Sequence, residues 1–441
     1  MNKCLQPGRS LHPTREKLPL APVWQLMTTA PPSQSAHSSD AATPAVSAFY
    51  DRFPYPGDPL QDGPPPGYNW RWSYPCVISA CRGMLPATSP SPLRILDAGC
   101  GTGVSTDYLA HLNPGSEILA VDISGGALNV ARERLRRSGG CDKVLLRQEQ
   151  RSVLNLDGEG PFDIINSVGV LHHLSDPLAG LRSLAERLAG GGVMHLFLYA
   201  EAGRWEIRRT QRALACLSLE GDEEGVSRAR ALLAALPKGN PLRRNYEQRW
   251  ALDTTADANF ADMYLHPQES VYDLTGLFKL IESAGLQFAG FSNPAVWDSG
   301  RLMEGELLER ARQLPIRRQW ELVELLDPTI SHLEFFVSRE RLSYKALPAD
   351  DMELLTMTGE RSPCLWGYPA QHLLGREMEP IALSEAGLAL LRALEAALPG
   401  TSFAALELSL APHERAAEIR RLVSDHALLL CSPASGDRVG A

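Results

Sequence analysis

No apolar run in the sequence approaches the roughly 18 residues that a membrane-spanning helix needs, so no membrane segment is expected. An excess of positive charge is missing too. The 43 Lys and Arg face 52 Asp and Glu, a net charge of −9, which leaves no global basic footprint for nucleic acid. The eight cysteines (Cys4, Cys76, Cys81, Cys100, Cys141, Cys216, Cys364 and Cys431) are scattered and form no Cys-x-x-Cys pair. That spacing speaks against a disulfide scaffold or a zinc cage; no metal is expected, and reduced thiols suit a cytoplasmic setting. Residues 1–44 hold almost no aromatic residue and only Glu16 and Asp40 as acids, amid Pro, Ser, Ala and Thr. Such a stretch cannot bury enough surface to offset its ordering entropy, so a disordered leader is expected, with translation beginning at Met27 as its simplest origin.

The remainder has the balance of a globular protein, 44% hydrophobic and 22% charged, and 441 residues suit two domains plus a tail. Aromatics are only 7% of the chain, yet eight of them crowd between Phe49 and Tyr74. Interleaved prolines at 54, 56, 59 and 64–66 argue against a regular helix or central strand there. Residues 45–90 therefore read as an aromatic, proline-rich arm followed by a short helix. The arm either walls a site or packs on the domain surface, and Tyr50, Tyr55 and Trp70 are the rings it offers.

From Leu93 the pattern is strand, glycine turn, helix: an apolar run, then Leu96-Asp97-Ala98-Gly99-Cys100-Gly101-Thr102-Gly103-Val104, then a helical stretch to Leu112. Glycines at 99, 101 and 103 let the backbone turn tightly and approach a ligand, and the helix after them presents free N–H groups to an anionic moiety. A dinucleotide fingerprint would place glycine at 104, where Val104 stands, and no Gly-Lys-Ser/Thr phosphate-loop ending follows. A second strand, Ile118 to Val121, ends in Asp122, 23 residues after Gly99 and near the roughly 20 expected for an acid that takes ribose hydroxyls.

Asp97 before Gly99-x-Gly101-x-Gly103 resembles motif I of the class I S-adenosylmethionine-dependent methyltransferases, in the form of the type 11/12-like methyltransferase domains. Phe162-Asp163-Ile164-Ile165-Asn166-Ser167-Val168-Gly169-Val170-Leu171-His172-His173-Leu174 resembles their motif IV, and Phe49 to Pro56 (FYDRFPYP) is similar to a short stretch preceding motif I in some members with appended domains. The resemblance spans about residues 90 to 340. It implies a Rossmann-like, doubly wound α/β sheet of seven strands with a helical insertion at 201–265 in a domain over 91–340, and S-adenosyl-L-methionine as cofactor. It further implies a donor site built from Asp97, Gly99, Cys100, Gly101, Gly103, Asp122, Ile123, Ser152 and Ser167. Strand three departs from the family: where an acid often contacts adenine, this chain has Gln150, Arg151 and Ser152. The Asn/Asp-Pro-Pro-aromatic tetrad used on planar amines is absent as well.

For the acceptor, His172 follows strand four at the carboxyl edge and is the candidate catalytic base. His173, Tyr199 and His266 join Tyr50, Tyr55 and Trp70 as substrate-side candidates. The insertion carries Arg204, Arg208, Arg209 and Arg212, but its ten basic and ten acidic residues cancel, so a solvated face is expected. Residues 341–441 form a small, mainly α C-terminal domain of loosely winged-helix-like pattern, with helices expected over 383–398, 401–408 and 413–425. Without a basic helix it suits docking better than DNA. The expected function is methyl transfer by direct displacement to a small-molecule or protein acceptor; the alternative is a non-catalytic cofactor sensor or assembly protein.

Overall fold

The structure, a computed structural model, describes residues 43–431. The expected leader thus lies almost wholly outside the described residues. The N-terminal helix α1 (Thr43–Arg52) runs into the aromatic stretch, contrary to the expectation that proline forbids a helix there: Pro44 sits in its first turn, where a missing N–H is tolerated, and the interleaved prolines begin at Pro54, two residues beyond its end. Helix α2 (Tyr74–Arg82) opens with Pro75 in its first turn, where a missing N–H costs nothing, and stops at Gly83 with φ of 78°.

The sheet then builds in alternation: β1 (Arg94–Ala98), α3 (Val104–Leu112), β2 (Glu117–Asp122), α4 (Gly125–Ser138), β3 (Leu145–Gln150), β4 (Phe162–Val168), α5 (Pro177–Arg187) and β5 (Leu188–Tyr199). An insertion of helices follows, α6 (Trp205–Cys216), α7 (Glu223–Ala235), α8 (Pro241–Asn245) and α9 (Asp257–Leu265). After it come α10 (Leu274–Ser283), β6 (Gln287–Phe291), α11 (Gly305–Arg312), α12 (Ile316–Leu326) and β7 (His332–Ser338). Strand order is β3-β2-β1-β4-β5-β7-β6, parallel through β5, with β7 antiparallel to both its neighbours. The order reverses between β1 and β4, the switch point where a doubly wound sheet leaves a crevice at its carboxyl edge.

Both faces of the sheet are covered. On β7, Phe335 and Phe336 are each fully buried but belong to opposite cores, as strand alternation requires. One core packs α5, α10 and α12 on the sheet; the other packs α2, α3 and α4. The insertion has its own small core, in which Ile207, Val226 and Phe260 meet Phe49 and Phe53 of the arm.

The C-terminal region contains α13 (Asp351–Thr356), β8 (Thr358–Arg361), β9 (His372–Leu374), β10 (Pro380–Ala382), α14 (Glu385–Ala396), α15 (Pro412–Ser424) and β11 (Leu428–Cys431). Strand β11 pairs with β8 and β10 with β9, around a core of its own. The helix expected over 401–408 is instead one 3-10 turn, Phe403–Ala405, because Phe403 is drawn fully into that core and Pro412 starts the next helix. Among the described residues no helix is long and apolar enough to cross a membrane.

Candidate active site

The glycine turn leaves β1 with Gly99, Gly101 and Gly103 all at positive φ (80°, 53° and 82°), a path L-residues rarely take. A Cβ on Gly103 would lie 2.9 Å from the Ala131 Cα, so this glycine serves the packing of α3 on α4. Asp97 stands beneath the turn. It is fully buried and its carboxylate accepts from Ser105 Oγ (2.7 Å), Thr106 Oγ1 (2.6 Å) and Asn166 Nδ2 (2.8 Å). Burial pushes its pKa up while these three donors pull it down. It fixes the turn and the first residues of α3 from behind.

Asp122 ends β2 beside the turn. Its two oxygens accept the Gly101 and Ser124 amides, each at 2.8 Å, and burial raises its pKa. Ser124 in turn caps α4 by accepting the Ala127 amide.

The arm lies directly over this turn. Tyr55 O accepts the Thr102 amide (3.0 Å), Pro56 O accepts Thr102 Oγ1 (2.7 Å), and Asp51 Oδ1 accepts Ser124 Oγ (2.7 Å). The arm packs on the domain through Phe49 and Phe53 and also lines a cavity with Tyr50, Tyr55 and Pro56. Between arm and sheet edge sits a cavity of about 230 Å³.

Of the expected donor residues, Gly99, Cys100, Gly101, Asp122, Ile123 and Ser152 line this cavity; Asp97, Gly103 and Ser167 lie behind its wall. Arg151 also lines it at the place where the family acid is missing. Tyr50, Tyr55, Trp72 and His173 line it as well.

The acceptor-side expectations divide. His172 is fully buried, stacked on Tyr199 at 3.9 Å between ring centres, with neither ring nitrogen hydrogen-bonded, and it does not reach the cavity. His173, not His172, lines the cavity. Both sit on a 3-10 turn, Leu171–His173, whose tight winding sends neighbouring side chains in different directions. His173 Nδ1 bonds the Gln268 carbonyl at 2.8 Å, which puts the proton on Nδ1 and leaves Nε2 with its lone pair; burial lowers its pKa to about 4, so the ring is neutral.

Trp70 does not line the cavity either: it is 1% exposed, packed on Phe336, and its Nε1 donates to Glu377 at 2.7 Å. Trp72, two residues on, takes the place expected of Trp70 and donates Nε1 to Asn166 Oδ1 at 3.0 Å. Tyr199 and His266 sit one layer back, around Asp262 and His173. Asp262 is fully buried and accepts from Tyr50 (2.8 Å) and Tyr199 (3.2 Å). Arg204, expected on a solvated face, is 3% exposed; it pairs with Glu269 at 2.8 Å and lies over the Tyr199 ring. Arg208, Arg209 and Arg212 are exposed as expected.

A chain of polar contacts ties the cofactor strand to the C-terminal region. Asn166 donates to Asp97 and its Oδ1 faces His195 Nδ1 (2.9 Å); His195 Nε2 faces Glu334 Oε1 (3.0 Å); Arg71 bridges Glu334 (2.9 Å) and Glu377 (3.2 Å). Both nitrogens of the His195 ring meet side-chain oxygens. Burial raises the Glu334 carboxyl, but His195, Arg71 and Ser292 outweigh it and hold the pKa at about 2. The folded value lies below the unfolded one, so this group's stabilisation is present above the ordinary glutamate range and lost as pH falls from about 4.5 toward 2. In acid titration of stability, Glu334→Gln is expected to remove on the order of 3 kcal/mol of that pH dependence. Acid unfolding curves of the two proteins that stay parallel would contradict it.

Residues 96–194 match the family model described as a methyltransferase domain. The chain is similar to an uncharacterized protein of Synechococcus sp., 47% identical over 90% of this chain and 94% of that one. Over a shorter stretch it is similar to the malonyl-[acyl-carrier protein] O-methyltransferase of Bacillus cytotoxicus, 34% identical over 27% of this chain and 39% of that one. Among solved structures, PKMT2 from Rickettsia typhi shares the fold with a TM-score of 0.56 at 17% identity, covering 83% of this chain and 77% of that one; a second structure of it is in complex with AdoHcy. With the glycine turn, the switch-point cavity and these relationships together, the chain belongs to the class I S-adenosylmethionine-dependent methyltransferase superfamily, with S-adenosyl-L-methionine as its cofactor.

Proposed function

We propose that the chain transfers the methyl group of S-adenosylmethionine to a nucleophile, on a small molecule or a protein, that enters the cavity beside Tyr50, Tyr55 and His173. One observation carries this reading: a single cavity joins the glycine turn and Asp122 at one end to a neutral histidine and two tyrosines at the other. Asp122 receives the ribose hydroxyls on the lone pairs its two backbone bonds leave free. The backbone of Gly99 to Gly101 receives the methionine end, Ile123 and Val153 flank adenine, and Ser152 with Arg151 stands where the family acid would contact its amine.

The sulfonium is already activated, so alignment supplies most of the catalysis. The acceptor's lone pair forms the new bond to carbon as the carbon–sulfur bond breaks, its electrons passing to sulfur and leaving S-adenosylhomocysteine. Any acceptor proton goes to His173 Nε2, the free lone pair on the wall.

The test is formation of S-adenosylhomocysteine, with transfer of radiolabelled methyl to an acid-stable product, when the protein meets a cell extract. His173→Asn is expected to slow that transfer tenfold or more while donor affinity changes less than about twofold. Donor binding without any protein-dependent S-adenosylhomocysteine would favour the non-catalytic sensor instead.

A further inference from the structure

Behind the acceptor wall, three side chains converge that the scattered cysteines gave no reason to expect as ligands. His173, Asp262 and His266 each offer one ligand atom, all within 4.8 Å of one another, and among the described residues they are the one such group. We propose that this cluster is a binding site for a divalent transition-metal ion, with zinc as the expected occupant. Its place at the acceptor end rests on the function proposed above; its existence does not.

The donor set is two imidazoles and one carboxylate, a combination suited to zinc and its neighbours that leaves a coordination position open. The outer contacts are those of an oriented site. His173 donates Nδ1–H to the Gln268 carbonyl at 2.8 Å, which turns the Nε2 lone pair free. The Tyr50 and Tyr199 hydroxyls grip the Asp262 carboxylate at 2.8 and 3.2 Å and set its orientation. His266 Nε2 is buried and has no hydrogen-bond partner, the kind of orphaned atom that asks for an occupant.

Charge points the same way. Asp262 is fully buried, while the cation nearby, Arg204, spends its ion pair on Glu269. A dication at the cluster would compensate the charge of this buried carboxylate.

Two contacts must change: the His173 and His266 rings, 3.8 Å between centres, have to splay apart, and one hydrogen bond must be exchanged. His266 Nδ1 accepts the Gln268 amide at 3.1 Å, and ligation through Nε2 moves the ring proton to Nδ1, so that amide has to turn away. It lies only two residues along the chain, just beyond α9, where a small backbone rotation suffices.

His173 and Tyr50 belong both to the cluster and to the cavity wall. The open coordination position accordingly suits an acceptor oxygen. With an ion bound, His173 Nε2 would be its ligand and no longer the proton acceptor of the metal-free site; a coordinated hydroxyl would give its proton to solvent, and its oxygen would bond to the methyl carbon as the carbon–sulfur bond breaks toward sulfur.

The experiment uses the full chain, stripped with a chelator and titrated with Co²⁺ and Zn²⁺ alone. About one Co²⁺ per chain should bind, with visible d–d absorption that Zn²⁺ abolishes by displacement. His266→Ala and Asp262→Asn should each weaken metal binding at least tenfold. X-ray absorption of the zinc-loaded wild type should show scattering from two imidazoles, a readout that stands even if a variant fails to fold. A wild-type protein that binds no stoichiometric metal, or variants that bind it as well as wild type, would overturn the proposal. Calorimetry of S-adenosylmethionine on the stripped protein reads the donor site separately: loss there strikes the proposed function and leaves the metal titration standing.

Discussion

Asp122→Ala is expected to weaken S-adenosylmethionine binding by about a thousandfold, because it removes charge-assisted bonds to two ribose hydroxyls at roughly 1.5–3 kcal/mol each. A second loss compounds the first. In the folded protein the same carboxylate accepts the Gly101 and Ser124 amides, so its removal also frees the turn that meets the methionine end. Asp122→Asn keeps an acceptor oxygen but brings an N–H toward one of those amides, and its affinity should fall between the two. Titration calorimetry decides it, with circular dichroism to confirm the fold. Affinity unchanged in Asp122→Ala would remove the ribose assignment.

Gly101→Ala should be nearly as damaging, by a different route. The residue sits at φ of 53°, where a side chain costs about 1–2 kcal/mol. The added Cβ would lie 2.3 Å from the Tyr55 carbonyl oxygen, a backbone atom that cannot rotate aside. The arm has to lift, and with it go the bonds from the Thr102 amide to Tyr55 and from Thr102 Oγ1 to Pro56. Strain and lost bonds together are expected to cost about 3 kcal/mol of stability and at least a hundredfold in donor affinity. At Gly99 the nearest obstacle is the Val170 side chain, so the arm should stay in place there. Denaturant unfolding and calorimetry on the pair separate the two positions; equal stability of Gly101→Ala and wild type would show that the arm does not rest on the turn.

The sheet and the turn were legible because their signals are local. The apolar run into the glycines, the acid closing β2 and the alternation of strand and helix all act within some 25 residues. What failed depended on distant partners. Arg204 looked like one of four arginines on a wet helix face until Glu269, 65 residues on, drew it inside. Trp70 and Trp72 were indistinguishable until Glu377 claimed the first and Asn166 the second.

His172 and His173 differ by one position on a turn shorter than any readable period, so no pattern could say which faced the cavity. The arm's helical start is readable, for the interleaved prolines of the aromatic stretch begin only after Arg52. The metal-type cluster left one usable trace: Asp262 and His266 are four residues apart at the end of a helix, the spacing that puts two ligands on one face. Its third member comes from another strand end and could not be foreseen.

The most direct test of the account is a crystal structure of the full chain with S-adenosylhomocysteine. The ribose hydroxyls should lie on Asp122, the homocysteine end against Gly99 to Gly101, and the sulfur should face His173 beneath the Tyr55–Pro56 segment. A ligand seated elsewhere, or an empty cavity at saturating ligand, would contradict it.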